Sequence, residues 1–326
     1  MAAVERNAGL AKMRPNNRHA VISKLTPHTL ARVLSSLDAA RNGAAFRALL
    51  ASFCLAGLML GAAEAALARE QGWSGTLWGL GALAIVLLGV NATGLLLMDQ
   101  ARGQAVRELR DAAYDSLRIA PRVLLCLAAM LATAGLLSAL MLGLLSLARL
   151  PQIGPLLLSA LVPLGVGLFG GMLLALLVMV GPLTGPSIWA GLPPRRALRK
   201  LAGLLRWRLL DTAVLMVGVL AISGLVSACI SVVVVGGGQA MAWLVPWAAG
   251  IEMPPQQLMA GLFGRGLRSL GAAGTPINTS AAGLAVQTGG GVVFALALVL
   301  PALFYLRGCC AVWLALTEPA AEEAQL

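Results

Sequence analysis

The chain has 326 residues, 59% of them hydrophobic and 11% charged, with a formal net charge of +11. Soluble globular domains carry roughly twice that charged fraction, so the composition excludes an ordinary soluble domain. The basic residues flank apolar runs of spanning length without interleaved aromatics. The excess therefore reads as the positive-inside bias of a membrane protein, and no nucleic-acid partner is expected.

Residues 1–47 form a basic N-terminal segment. Within it, Thr26–Pro27 has the form of an N-cap followed by proline at the first helical position, with Leu30, Val33, Leu34 and Leu37 as an apolar stripe. The segment is too long and polar for the start of a removable signal peptide. Crossing the hydrocarbon core takes about 20 apolar residues. Such runs lie at 48–67, 74–98, 123–147, 155–180 and 209–235, and a short sixth at 291–306 must borrow from its flanks. Together they make residues 48–316 a six-helix transmembrane domain, followed by an acidic tail at 317–326.

Twenty of the 24 Lys and Arg residues fall in alternate loops or termini of this pattern; Arg69, Arg149, Arg265 and Arg268 do not. The asymmetry places both termini and the basic loops in the cytoplasm. Arg307 is counted there, just past the sixth run. The expected fold is thus all-α and polytopic: six transmembrane helices, N-in and C-in, in a bacterial inner membrane. Trp73, Trp78, Trp207, Trp243 and Trp247 fall where an aromatic belt would lie.

Two linkers have helical spacing. Residues 103–118 carry Val106, Leu109, Ala113 and Leu117 on one face. Residues 194–206 carry Leu198, Leu201, Ala202 and Leu205 opposite Arg195, Arg196, Arg199 and Lys200. Both are expected to be amphipathic cytoplasmic helices lying in the interface. Arg195, Arg196, Arg199 and Lys200 are the expected contacts to anionic lipid headgroups, with an acidic protein partner as the alternative. A shift of 89 residues superimposes the linkers (Arg107 on Arg196, Arg110 on Arg199), which suggests a parallel repeat.

The turn Met98-Asp99-Gln100-Ala101-Arg102-Gly103, the linker after it and the next span together resemble poorly characterised bacterial six-span membrane proteins. They are also similar to the membrane domain of some glycerophosphodiester phosphodiesterases. The resemblance covers about 48–316. It implies a six-helix bundle with helical linkers and supplies no catalytic residues, because the chemistry of that enzyme family lies in a separate soluble domain.

The loop 236–290 is glycine-rich at both ends and too apolar for a solvated loop. It is expected to rest on the outer leaflet as a surface helix; the alternative is a lid or a partner-docking surface, with Trp243, Trp247, Phe263, Arg265 and Arg268 as the candidate docking residues, and a re-entrant helix is the third reading. Residues 256–270 read as a short helix.

Catalytic constellations are missing from the sequence. The two histidines, His19 and His28, precede the first span, so no His-based metal site or proton relay is expected within the bundle. No cofactor is implied. Gly165, Gly167 and Gly170 match a nucleotide-binding pattern, but they lie inside a span and read as helix-packing residues together with Gly171. Pro182 and Pro186 should end the fourth span sharply. Asp211 is expected to pair with Arg206 or Arg208. Glu64, Asn91 and Thr93 are the candidate intramembrane polar site, with Asn91 and Thr93 also suited to hydrogen bonding between helices. The function expected is a non-enzymatic scaffold or an assembly or accessory subunit, with membrane-protein partners or a homo-oligomer. The alternative is a transporter for a hydrophobic or lipid-like molecule. An intramembrane enzyme ranks third.

Overall fold

The computed structural model describes residues 35–148, 150, 154–249 and 281–317. Among them the chain forms helices joined by short turns, with no strand. A 3-10 turn, Ser35–Arg41, precedes α1 (Gly43–Ala68), α2 (Gly72–Ala101) and α3 (Leu109–Leu147). Then α4 (Gly154–Leu174) runs through a π-helical stretch, Ala175–Val180, into α5 (Gly181–Trp189). After these come α6 (Pro194–Trp207), α7 (Leu209–Ala249) and α8 (Ala281–Thr317). Six stretches are long and apolar enough to cross a membrane: Gly43–Ala63, Gly72–Ala101, Leu109–Leu147, Leu157–Trp189, Leu209–Met241 and Val292–Thr317. Helices suit that setting because each satisfies its own backbone where no water is available.

Local chemistry sets the helix ends. Asn42 caps α1, its side-chain oxygen accepting from the Ala45 amide at 3.0 Å. After α2 the chain turns at Gly103 (φ 67°), with the Gln104 amide donating to the Asp99 carbonyl. After α5 it turns at Gly191 (φ 89°), with the Leu192 amide donating to Ser187. Both are glycine C-caps with a six-to-one hydrogen bond.

The first two helices form an antiparallel hairpin, and α8 packs against α1, α2, α5, α7 and the 3-10 turn. The core is lopsided. Its members Leu49, Leu95, Leu96, Leu97, Met98, Leu183, Trp189, Leu201, Met216, Leu303 and Trp313 all lie toward the end that carries Arg102, Arg107 and α6. At the opposite end Leu58, Leu77, Leu140, Leu164, Val166 and Val232 are exposed. A lipid tail is as apolar as a leucine, so nothing drives these faces together.

Several boundaries differ from expectation. The linker 103–118 is no separate helix, because α3 begins at Leu109 and runs unbroken through Pro121. Its buried stripe is Ala112, Ser116, Ala120, Val123, Cys126 and Met130, continuous across the proline. The anticipated face is exposed at Val106, Leu109 and Leu117. Small residues that admit a close neighbour carry the packing here, and hydropathy overlooks them.

Pro182 and Pro186 do not end the fourth span. Each lacks an amide hydrogen and crowds the preceding turn, and one wide π turn absorbs the misfit. The Gly181 amide closes that turn on the Leu176 carbonyl, against which any Cβ at 181 would collide. The fifth span also overruns its expected limit: α7 passes through Gly236–Gly238 to Ala249, which shortens the loop. The sixth lies within α8, Ala281–Thr317, which extends beyond the expected run on both sides and so takes in Arg307. Of the glycines expected to pack closely in α4, only Gly165 has a near neighbour, Met141; a Cβ at Gly167, Gly170 or Gly171 would meet nothing within 4 Å. Helix α6 buries Ala197 and Leu201, with Ala202 exposed, a face rotated from the one anticipated.

Candidate functional site

Among the described residues, buried polar side chains lie mainly in the packed half of the bundle, and three groups of them link separate elements. The deepest joins α2 to α5. Asn91, 1% exposed, accepts a hydrogen bond at 2.9 Å from the Trp189 indole N–H and donates at 2.8 Å to the Leu87 carbonyl. The indole lies against Gly94 and Gly185, where a Cβ on either would strike its six-membered ring. Asn91 is therefore paired between helices, as its residue type suggested. Thr93 is fully buried, and its hydroxyl has no hydrogen-bond partner among the described residues.

The second group holds the turn between α2 and α3. Arg107 grips Asp99 through two hydrogen bonds, Nε at 2.6 Å and Nη2 at 2.9 Å, and reaches Asp115 with Nη1 at 2.9 Å. Asp99 is the buried member, its side chain 8% exposed. It sits at the C-terminal end of α2, where the helix dipole disfavours a negative charge. The fork-to-carboxylate geometry offsets that penalty. The hydrogen bond to Asp99 holds the Arg107 pKa above its ordinary value; the charges of Asp99 and Asp115 add to the effect and burial opposes it. An open cleft of about 540 Å³ beside this pair is lined by Asp99, Gln104, Ala105, Arg107, Asp111, Tyr114 and Asp115.

The third group ties the 3-10 turn to α2. Asn42 donates to the Leu96 carbonyl at 3.4 Å and to Gln100 Oε1 at 3.3 Å. Gln100 in turn donates to the Asp38 carbonyl at 3.0 Å. Next to this network α8 contributes Arg307, 7% exposed, whose Nε has no hydrogen-bond partner among the described residues. It is not the loop residue that the hydropathy pattern implied.

The remaining candidates are dispersed. Arg195, Arg196, Arg199 and Lys200 are exposed on α6. Trp243 and Trp247 are exposed on the last turns of α7, which makes them helical and not loop residues. Phe263, Arg265, Arg268, the helix read at 256–270 and the N-terminal stripe from Leu30 to Leu34 lie outside the described residues, as does the Glu64 side chain, although its backbone is in α1. No polar site joining Glu64 to Asn91 and Thr93 can therefore be drawn. Asp211 forms no ion pair among the described residues; Arg208 instead donates to the Leu316 carbonyl at 3.4 Å. Cys309 and Cys310 are free thiols packed in the core. Sequence reasoning missed Asp99, Arg107, Trp189 and the burial of Arg307. One available signal was an acidic residue at a span end eight positions before an arginine.

No family model matches the chain, and no curated protein or solved structure matches it.

Proposed function

We propose that the chain is a non-enzymatic membrane scaffold, an accessory or assembly subunit that presents spans to another membrane protein or to a second copy. One observation carries this reading: the unequal burial of the spans. In the most apolar window of each, 44% of residues are buried in α2 and in α8, against 6% in α4–α5 and in α7. A transporter needs a polar path between its spans. Here the buried carboxamide of Asn91 has both its oxygen and its amide engaged, by Trp189 and Leu87, and the indole packs between α2 and α5. That favours a filled packed half with uncovered faces over a pathway, so the alternative of a carrier for lipid-like molecules ranks second.

In this reading the basic end faces the cytoplasm of a bacterial inner membrane, with both termini inside. Arg195, Arg196, Arg199 and Lys200 hold α6 against anionic headgroups, each contributing about 1 kcal/mol. The test is site-specific photocrosslinking in native membranes from exposed positions on α4 and α7, such as Val166 and Val232. Discrete adducts to one partner, or to a second copy, are expected. A protein that yields only lipid adducts and moves a substrate in liposomes would overturn the scaffold reading.

A further inference from the structure

The fourth span changes character at its π turn. On one side α5 is locked into the packed half, with Leu183, Thr184, Pro186, Ser187, Ile188 and Trp189 all buried. On the other side α4 packs chiefly on α3. A tight turn closes that pair at its tip, where the Gly154 amide donates to the Leu150 carbonyl at 2.7 Å. Farther down, Met141 of α3 fills the space beside Gly165 of α4. The outer halves of α3 and α4 are therefore a unit. Helix α7 approaches the π turn itself and otherwise packs on α6 and α8. Beyond the turn Leu164, Val166 and Leu173 of α4 are exposed, as are Leu225, Val232 and Val233 of α7.

Both legs of this unit have a pliable point where they leave the packed half. In α4 it is the π turn, followed at once by Pro182; π turns and prolines are established causes of helix bending. In α3 the Thr133 hydroxyl donates to the Ala129 carbonyl at 2.8 Å, and the Ser138 hydroxyl to the Ala134 carbonyl at 2.9 Å. Such back-bonding weakens the helical ladder and bends it. Between them Gly135 has nothing within 4 Å of where a Cβ would stand. The base of both legs is pinned by a buried contact, the Thr184 hydroxyl donating to Met130 Sδ at 3.5 Å. Past Met130 the next buried residue of α3 is Met141, which faces α4 and not the core.

We propose that residues 131–147 of α3 and 154–174 of α4 move as one arm, pivoting on these two points. The motion opens and closes an apolar slot between α4 and α7 to the surrounding lipid. A few pliable positions on a fixed base are what a hinge requires, and few buried contacts make the moving part easy to displace. The inference does not depend on the scaffold reading, because the arm moves in the chain alone.

The test uses the full chain in phosphatidylcholine nanodiscs, with its five native cysteines replaced and spin labels introduced in pairs. Pulsed dipolar spectroscopy reads the distribution of distances trapped on freezing. Labels at Val166 and Val232 span the slot. Labels at Leu83 and Val232 give the reference, since α2 and α7 both pack on α8. Labels at Leu136 and Leu158 report on the arm itself. The slot distribution is expected to be two-peaked, or at least about twofold wider than the reference, with the arm distribution as narrow as the reference. Pro182→Ala returns an amide donor to the joint, and Thr133→Ala with Ser138→Ala removes the competing hydroxyls. Combined, the three should take away at least about half of the excess width. A slot distribution as narrow as the reference would overturn the proposal. An arm distribution as wide as the slot would also overturn it, as fraying and not pivoting. These wild-type distributions decide the arm by themselves, and an undiminished width in the folded triple variant would overturn the placement of the pivot.

Discussion

The contact between Asn91 and Trp189 gives the sharpest energetic prediction. Trp189→Phe removes the indole N–H and leaves the buried Asn91 oxygen without its donor at 2.9 Å. An unpaired buried acceptor costs about 1–3 kcal/mol. Hydrogen bonds between membrane helices measure lower, about 0.6 kcal/mol on average and about 1.7 at most. The coupling between Asn91→Leu and Trp189→Phe should therefore fall near 0.6–1.7 kcal/mol. Gly94 supplies an internal check of opposite sign. Its added Cβ would strike Cε2, Cζ2 and Cη2 of the indole, of which Cζ2 and Cη2 lie beyond the reach of a phenylalanine ring. Gly94→Ala should cost about 1–3 kcal/mol by overpacking in the wild type and clearly less in Trp189→Phe. Equilibrium unfolding in mixed micelles, followed by circular dichroism, reads all the variants. Additivity within about 0.3–0.5 kcal/mol for the Asn91–Trp189 pair, or a Gly94→Ala cost unchanged in Trp189→Phe, would refute the reasoning.

Other perturbations follow from the same packed half. Arg107→Ala strands the buried Asp99 carboxylate. Breaking a fully buried pair costs about 3–5 kcal/mol; with Arg107 about one-third exposed, a loss nearer 1–3 kcal/mol is expected in the same unfolding assay, and Asp99→Asn with Arg107→Ala should recover part of it. Replacing Arg195, Arg196, Arg199 and Lys200 with glutamine should leave the spans inserted but reduce the protection of α6 against protease in anionic liposomes. Raising the salt concentration should do the same to the wild type, and equal protection in both would count against surface anchoring. Gly181→Leu should destabilise the join between α4 and α5, since its side chain would meet the Leu176 carbonyl that the π turn needs; an unchanged melting midpoint would contradict that role.

The six spans were legible because hydropathy accumulates over a whole helix and tolerates local exceptions. The ends were not, for specific reasons. A proline pair looks like a stop, yet one wide turn lets Pro182 and Pro186 stay helical. Arg307 looks like the first residue of a loop because a charge ends an apolar run, and only its neighbours on α2 and the 3-10 turn reveal that the helix continues around it. Packing through Ala112, Ser116 and Ala120 leaves no hydropathy signal at all. Exposure of the basic face of α6 was readable from the spacing of Arg195, Arg196, Arg199 and Lys200, because four charges on one side of a short helix have nowhere dry to go. Asn91 was readable as an interhelical donor and acceptor, but its partner was not, since Trp189 lies 98 residues away.

The orientation of the packed half underlies the role given to α6, and single-cysteine labelling in sealed, right-side-out membranes tests it most directly. With the five native cysteines replaced, an impermeant maleimide should label Gln71→Cys in the turn between α1 and α2 from outside. It should label Arg110→Cys and Arg199→Cys only after the membrane is opened. Labelling of Arg110→Cys or Arg199→Cys in intact membranes would put the basic end outside and contradict the account.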